Sequence, residues 1–201
     1  HKTCQLDCVY CESGKTTKHT AEREEFFPID EIKKELSDFL STNPELDYIT
    51  FSGPGEPLLY KNMGALITFI KDNFPGYKSA LITNSILFED EAVCREIELL
   101  DLIVPSIDAG DQRTFEKINR PCRGVDIESS LKGLCDFAAH FSGAIWVEVF
   151  IVSGINNSAD ALSKIKYWVD LINPEKIQIN SLDRPGTEQG LKKADFDTLL
   201  F

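Results

Sequence analysis

Apolar positions along the chain follow two different periods. Short runs that are apolar almost throughout recur at YITFSG (48–53), SALITN (79–84), DLIVPS (101–106), AIWVEVFIV (144–152) and KIQIN (176–180). Runs of this length, rich in β-branched and aromatic residues, predict strands buried on both faces of a parallel sheet. Between them the apolar residues fall three and four apart. One set is Ile29, Ile32, Leu36, Phe39 and Leu40, and a second is Met63, Leu66, Ile67, Ile70 and Phe74. A third is Ile127, Leu131, Leu134, Cys135 and Ala138, and a fourth Leu162, Ile165, Trp168, Val169 and Ile172. That spacing puts each set on one face of a helix laid on the sheet. Val93, Ile97 and Leu100 form a sparser set. The ends are marked as well. Asp30 is the expected N-cap of the first helix, with Pro44 past its end. Pro75-Gly76 stops the second helix; Ser158 caps the fourth and Pro174 ends it.

Strands alternating with helices mean parallel strands joined by right-handed crossovers. Such a sheet closes as a barrel or stays open and doubly wound. In both versions ligands meet the C-terminal ends of the strands. At 201 residues, a single domain over 1–201 is expected. The strand that should precede the cysteine-rich segment at residues 4–11 is absent apart from His1-Lys2-Thr3, and the chain stops inside an apparent helix, ADFDTLLF. The expectation is a domain trimmed at both ends.

Composition narrows the function classes. With 42% apolar and 27% charged residues this is an ordinary folded chain. It has no apolar run long enough to span a bilayer and no visible signal peptide. A net charge of −12 repels nucleic acid unless a local basic patch intervenes. Arg113, Lys117, Arg120 and Arg123 in RTFEKINRPCRG form one candidate patch; the plain alternative is a solvated helix face and a turn. Six cysteines are too few for a disulfide scaffold. Three of them crowd into one loop, which points to metal or catalysis in a reducing compartment.

That loop reads HKTCQLDCVYCESG, with Cys4, Cys8 and Cys11 spaced C-x3-C-x2-C. A structural zinc needs four ligands, and His1 or His19 would complete a Cys3His set. A cubane iron–sulfur cluster normally takes four thiolates. Three would leave one iron open to chelate a substrate. Tyr10, directly before Cys11, is placed to pack beside whatever that iron holds. Further polar and glycine-rich segments end the later strands: SGPGEPLLY (52–60), TNS (83–85), PSIDAGD (105–111), IVSGINNS (151–158) and QINSLDRPG (178–186), with KINRP (117–121) between.

Together these segments resemble the radical S-adenosylmethionine (SAM) enzymes, from Cys4 to about Gly186. The combination of SGPGEP, PSIDAGD, INRP and DRPG is most similar to a group of oxidoreductases placed alongside the tRNA wyosine synthases, many with no assigned reaction. The resemblance implies an α/β fold, a partial (β/α)6 barrel of parallel strands with outer helices, its first strand largely missing here. It implies a [4Fe–4S] cluster on Cys4, Cys8 and Cys11, with SAM on the open iron through its amino and carboxylate groups. Gly53, Gly55 and Glu56 would hold the amino group, and the inserted Pro54 leaves open which glycine makes the contact. Thr83 and Asn84 would lie near SAM, Ser106 and Asp108 on its ribose or methionine part, and Arg120 on its carboxylate. Val152 and Asn180 would flank adenine. An external one-electron reductant of the flavodoxin or ferredoxin type is implied. SAM would split to methionine and a 5′-deoxyadenosyl radical, which abstracts hydrogen from a small-molecule or protein substrate in the cytoplasm.

Plainer readings stand beside these. The segment 52–57 is also a strand-ending turn, and Asp108 or, preferably, Asp111 is an N-cap for RTFEKI. Cys94 and Cys135 read as core-packing thiols. Cys122, between Arg120 and Arg123, is a hydrogen-atom donor, an extra cluster ligand or, more plainly, a bystander. His140 reads as a helix-end cap, and Glu22-Arg23-Glu24-Glu25 as solvated surface. Two other functions share some of these features: a non-catalytic zinc module, and an activase that makes a radical on a protein partner.

Overall fold

Each apolar run becomes a strand and each three-four stripe a helix. The computed structural model describes residues 1–184, 186–195 and 199. Its strands are β1 (Thr3–Cys4), β2 (Lys18–His19), β3 (Ile49–Phe51), β4 (Ser79–Thr83), β5 (Leu102–Pro105), β6 (Ala144–Ser153), β7 (Lys176–Ser181) and β8 (Lys192–Lys193). Its α-helices are α1 (Ile29–Leu40), α2 (Met63–Asn73), α3 (Glu91–Ile97), α4 (Gln112–Ile118), α5 (Ile127–Ala138) and α6 (Ala159–Ile172). Strands β3 to β7 pair in chain order, all parallel. Strand β8 returns antiparallel on the end of β6, Val152 opposite Lys193. Near the place expected for the first strand, Thr3–Cys4 pairs with β2 in a ladder of its own. The fold is thus the α/β partial barrel that the sequence predicts.

The two faces of the sheet differ in kind. Leu81, Ile103 and Val147 point to the helices and meet Ile67, Ile97, Leu131 and Leu134 in the main core, all fully buried. Their neighbours Ala80, Leu102 and Val104 point the other way and pack with Tyr48, Ala144 and Trp146 in a small second cluster. Period-two alternation splits each strand between these faces. Further along the concave face the packing stops: Ile82 is 40% exposed. That change opens a cavity at the C-terminal strand ends.

Helix ends correct two expectations. Asp30 does not cap α1: Pro28 holds the N-cap position at φ −58°, and no side chain caps it. The fixed proline φ sets the entry of the chain, and Asp30 lies inside the first turn, where a negative charge suits the helix dipole. Ser158 caps α6 through Ala161 N at 3.2 Å, and Asp111 caps α4 through Thr114 N at 3.0 Å. Arg23 is not solvated surface either. It is half-buried, grips Glu96 with two nitrogens at 2.6 and 2.8 Å, and donates to Leu58 O at 2.8 Å. Most of the ADFDTLLF segment lies outside the described residues. Among the described residues no helix is long and apolar enough to cross a membrane.

Candidate active site

The cysteine loop has little secondary structure of its own and is clamped from three sides. The end of α4 and the residues after it run beside the loop: Asp7 N and Val9 N donate to Asn119 O and Ile118 O, both at 2.9 Å, and Cys122 N donates to Gln5 O at 2.7 Å. From the end of β3, Glu56 N donates to Thr3 O at 3.0 Å. From beyond β7, Thr187 Oγ1 donates to Cys8 O and Cys11 O at 3.2 Å, and Glu188 N to Val9 O at 3.0 Å. Two glycines permit the close approach. A Cβ on Gly55 would lie 2.1 Å from Thr3 O, and one on Gly186 would lie 2.6 Å from the Tyr10 backbone.

Every one of the three sulfurs accepts from nitrogen donors. Cys4 Sγ takes Leu6 N and Asn84 Nδ2 at 3.4 Å. Cys8 Sγ takes Asn119 Nδ2 at 3.3 Å, and Cys11 Sγ takes Lys2 Nζ at 3.0 Å. Burial, then the Glu56 charge, pushes the Cys4 thiol up to about 11. Burial, then Asp108, pushes the Cys8 thiol well above its ordinary value. The donors act in the opposite direction, since a hydrogen bond to the charged form favours it.

These sulfurs border a cavity of about 210 Å³. Tyr10, Gly53, Gly55, Glu56, Thr83, Asn84, Ser106 and Asp108 line it, all named from sequence. Glu56 is buried and pushed up to about 6 by that burial. Its carboxylate accepts from Thr83 Oγ1 at 2.7 Å, Asn84 N at 2.8 Å and Leu58 N at 3.1 Å, tying the ends of β3 and β4 together. Burial likewise pushes Asp108 up to about 6. No neighbour lies within 4 Å of where a Gly53 Cβ would stand, so Gly53 has open space and Gly55 has none.

Three residues named from sequence lie elsewhere. Arg120, at φ +47°, pairs with Glu188 at 2.6 Å. Val152 is fully buried, its N–H given to Asn156 Oδ1 at 2.7 Å. Asn180 is exposed on β7 and donates to Glu148 Oε1 at 2.6 Å. Among the other cationic residues of the basic patch, Arg113, Lys117 and Arg123 are all exposed, as a solvated face would be. Cys122 packs along the outside of the loop through its backbone. Cys94 and Cys135 rest against the core, and His140 Nδ1 reaches Asp136 O at 3.0 Å at the end of α5.

Sequence reading missed four participants. Asn119 and Lys2 touch sulfurs; Phe150 stacks on Tyr10 with centroids 4.0 Å apart; Glu148 accepts from Ser106 Oγ at 3.0 Å. Lys2 and Asn119 lie within HKTCQLDCVYCESG and KINRP. Nothing local marks them.

The donor set fits an iron–sulfur cluster better than a single zinc. His19 Nε2 is 2.8 Å from Gln5 O, and His1 is exposed. A cubane spreads its thiolates over separate irons, and N–H donors to the sulfurs are one of the means by which a protein tunes it.

A family model described as the radical SAM superfamily matches residues 1–164. The chain is 35% identical over 192 residues to a protein named GTPase Obg of Brachyspira hyodysenteriae, covering 96% of this chain and 28% of that one. It is 32% identical over 183 residues to a UPF0026 protein of Synechocystis, covering 91% of this chain and 67% of that one. Other UPF0026 relatives are spanned over 62% to 64% of their length. Among solved structures, TYW1 with a lysine-pyruvate adduct bound superposes with a TM-score of 0.70 at 17% identity, over 98% of this chain and 67% of that one.

Proposed function

Because the chain belongs to the radical SAM superfamily, we propose that Cys4, Cys8 and Cys11 hold a [4Fe–4S] cluster and that the cavity beside them binds SAM. Held by these three cysteines, such a cluster would supply one-electron reduction of SAM, the chemistry that would give methionine and a radical able to take a hydrogen atom from substrate. The observation that carries this reading is the convergence of three sulfurs, each met by N–H donors, on a cavity at the strand ends.

The chain's own residues bind, orient and exclude water. Lys2, Asn84, Asn119 and Leu6 N donate to the sulfurs and favour thiolates. The open side of Gly53 lets backbone carbonyls approach an ammonium group, with the Glu56 carboxylate behind. Ser106 offers a hydroxyl from the end of β5. Tyr10 and Phe150, stacked, close one side against water. Such positioning lowers a barrier without side-chain chemistry, since the cofactors carry the hard step. The reductant is external, of the flavodoxin or ferredoxin type. The substrate is a small molecule or a protein segment; the net charge of −12 disfavours nucleic acid. A thiolate-held cluster suits a reducing cytoplasmic compartment.

Anaerobic reconstitution with iron and sulfide is expected to give about four irons per chain. With dithionite, SAM is then expected to yield 5′-deoxyadenosine. A Cys8→Ala variant should lose both. If it keeps the cluster and cleaves SAM as well as its parent, the reading falls. Freshly purified protein that is colourless, carries one zinc and ignores SAM would instead support the zinc module.

A further inference from the structure

Asp108 lies in the segment just past the end of β5, in the place where the resemblance expects a carboxylate on SAM. Its surroundings assign it other work. The side chain is 4% exposed. Oδ2 accepts from the Tyr10 hydroxyl and from Asn119 Nδ2 at 2.8 Å, and Oδ1 accepts from Phe150 N at 2.9 Å. Three of the roughly four acceptor positions of a carboxylate are therefore taken by donors of the protein itself. Its backbone carbonyl takes a further bond from Asn156 Nδ2 at 2.9 Å. Two of these partners lead to the cysteine loop. Tyr10 belongs to it, and the same Asn119 amide that meets Asp108 also meets Cys8 Sγ at 3.3 Å. Phe150, whose N–H binds Asp108, stacks its ring on Tyr10.

We infer that Asp108 is a positioning residue and not a ligand contact: through Tyr10 and Asn119 it fixes the cysteine loop and sets the electrostatic surroundings of the Cys8 sulfur. The positioning half concerns the chain alone, whereas the electrostatic half rests on the cluster reading above. For a cluster on Cys8, the two groups pull in opposite senses. The Asn119 N–H favours the more negative, reduced state; the buried carboxylate disfavours it. Removing them should shift the midpoint potential in opposite directions, which simple loosening of the loop does not do.

The test uses Asp108→Asn, Asn119→Leu and, as a control, Asp111→Asn, which alters only the cap of α4 and its ion pair with Lys164. Asparagine cannot accept from all three donors, so the network must break. In the metal-free chain, alkylation of Cys8 by iodoacetamide, read by peptide mass spectrometry, should speed up about tenfold in Asp108→Asn, where the loop is freed and a negative charge near the sulfur is gone. Asp111→Asn should match the parent. After reconstitution, the reduced-to-oxidised ratio at fixed potential should rise about tenfold in Asp108→Asn and fall similarly in Asn119→Leu, which is about 59 mV for a one-electron couple. The Kd for SAM in Asp108→Asn should stay within about twofold of the parent. Parent-like alkylation and potential with a SAM Kd weakened about tenfold or more would make Asp108 a ligand contact and overturn the inference. Shifts of the same sign in both variants would overturn its electrostatic half. If the parent itself assembles no cluster, the cluster reading fails, and unchanged Cys8 alkylation alone would sink the positioning role. Should Asp108→Asn not fold, Tyr10→Phe removes a single hydroxyl and keeps the ring on Phe150. It should speed alkylation in the same direction, and a parent-like rate would count against the inference.

Discussion

Gly53 and Gly55 stand two residues apart and serve different surfaces. Gly55 lies under Thr3 O, so Gly55→Ala forces the cysteine loop away and breaks the Glu56 N bond to Thr3. A loss of about 1–3 kcal/mol in urea denaturation is expected, as for overpacking elsewhere. Gly53→Ala meets nothing within 4 Å and should keep the parent's stability while weakening SAM binding, measured by equilibrium dialysis on the reconstituted protein. Glu56 gives a pH prediction. Burial raises its carboxyl from an ordinary 4.5 to about 6, so the folded chain holds that proton more tightly than the unfolded one. Its contribution to stability is full below 4.5 and is lost as pH rises through about 6. Glu56→Gln removes this dependence. The stability of the parent relative to the variant should therefore fall across that window. A constant difference across it would show that Glu56 is not raised. The residue types at these positions were legible as a glycine-rich segment with a glutamate. Which glycine faces the cavity was not, because the answer is the position of Thr3, some fifty residues away in sequence.

At the scale of elements, the helices stand on their caps unequally. Ser158, Asp111, Asp126 and Asp90 each accept from a backbone N–H at the start of a helix. Asp30 does not. Ser158→Ala should cost about 1 kcal/mol, whereas Asp30→Ala should cost only the dipole contribution of about 0.3 kcal/mol. Paired thermal melts read the difference, and equal losses would contradict the cap assignment. Element positions were legible because strand and helix periods follow from local covalent geometry. The cap of α1 was not legible because Pro28 takes the N-cap position and sets the entry of the chain, which puts Asp30 inside the first turn instead of ahead of it.

For the whole molecule, the sheet ends unevenly. Residues 176–180 of β7 are all exposed, with Ile177 at 53% and Ile179 at 42%. Register places both isoleucines beside Val147 and Val149 on the helix-facing side. Ile177→Thr should change the stability of this chain by less than about 0.5 kcal/mol. Val147→Thr, one strand inward and fully buried, should cost about 1–3 kcal/mol through an unpaired hydroxyl. Equal costs in chemical denaturation would mean that β7 is covered in solution. The sequence read KIQIN as a strand buried on both faces. Its composition is that of a buried strand, and only the arrangement of neighbours decides whether anything lies over it.

What the sequence determined by itself was the parallel α/β architecture, the three thiols and the polar residues at the strand ends. Each is encoded in spacings of a few residues, where chain geometry leaves little choice. Tertiary structure decided which of those residues face the cavity and which face each other. Tyr10 meets Asp108, Asn119 meets Cys8 and Asn84 meets Cys4 across separations of 98, 111 and 80 residues. Hydrogen bonds of that span depend on how strands and loops are stacked, so no local pattern announces them. They turn Asp108 inward, to the protein, while Gly53 keeps open space beside it.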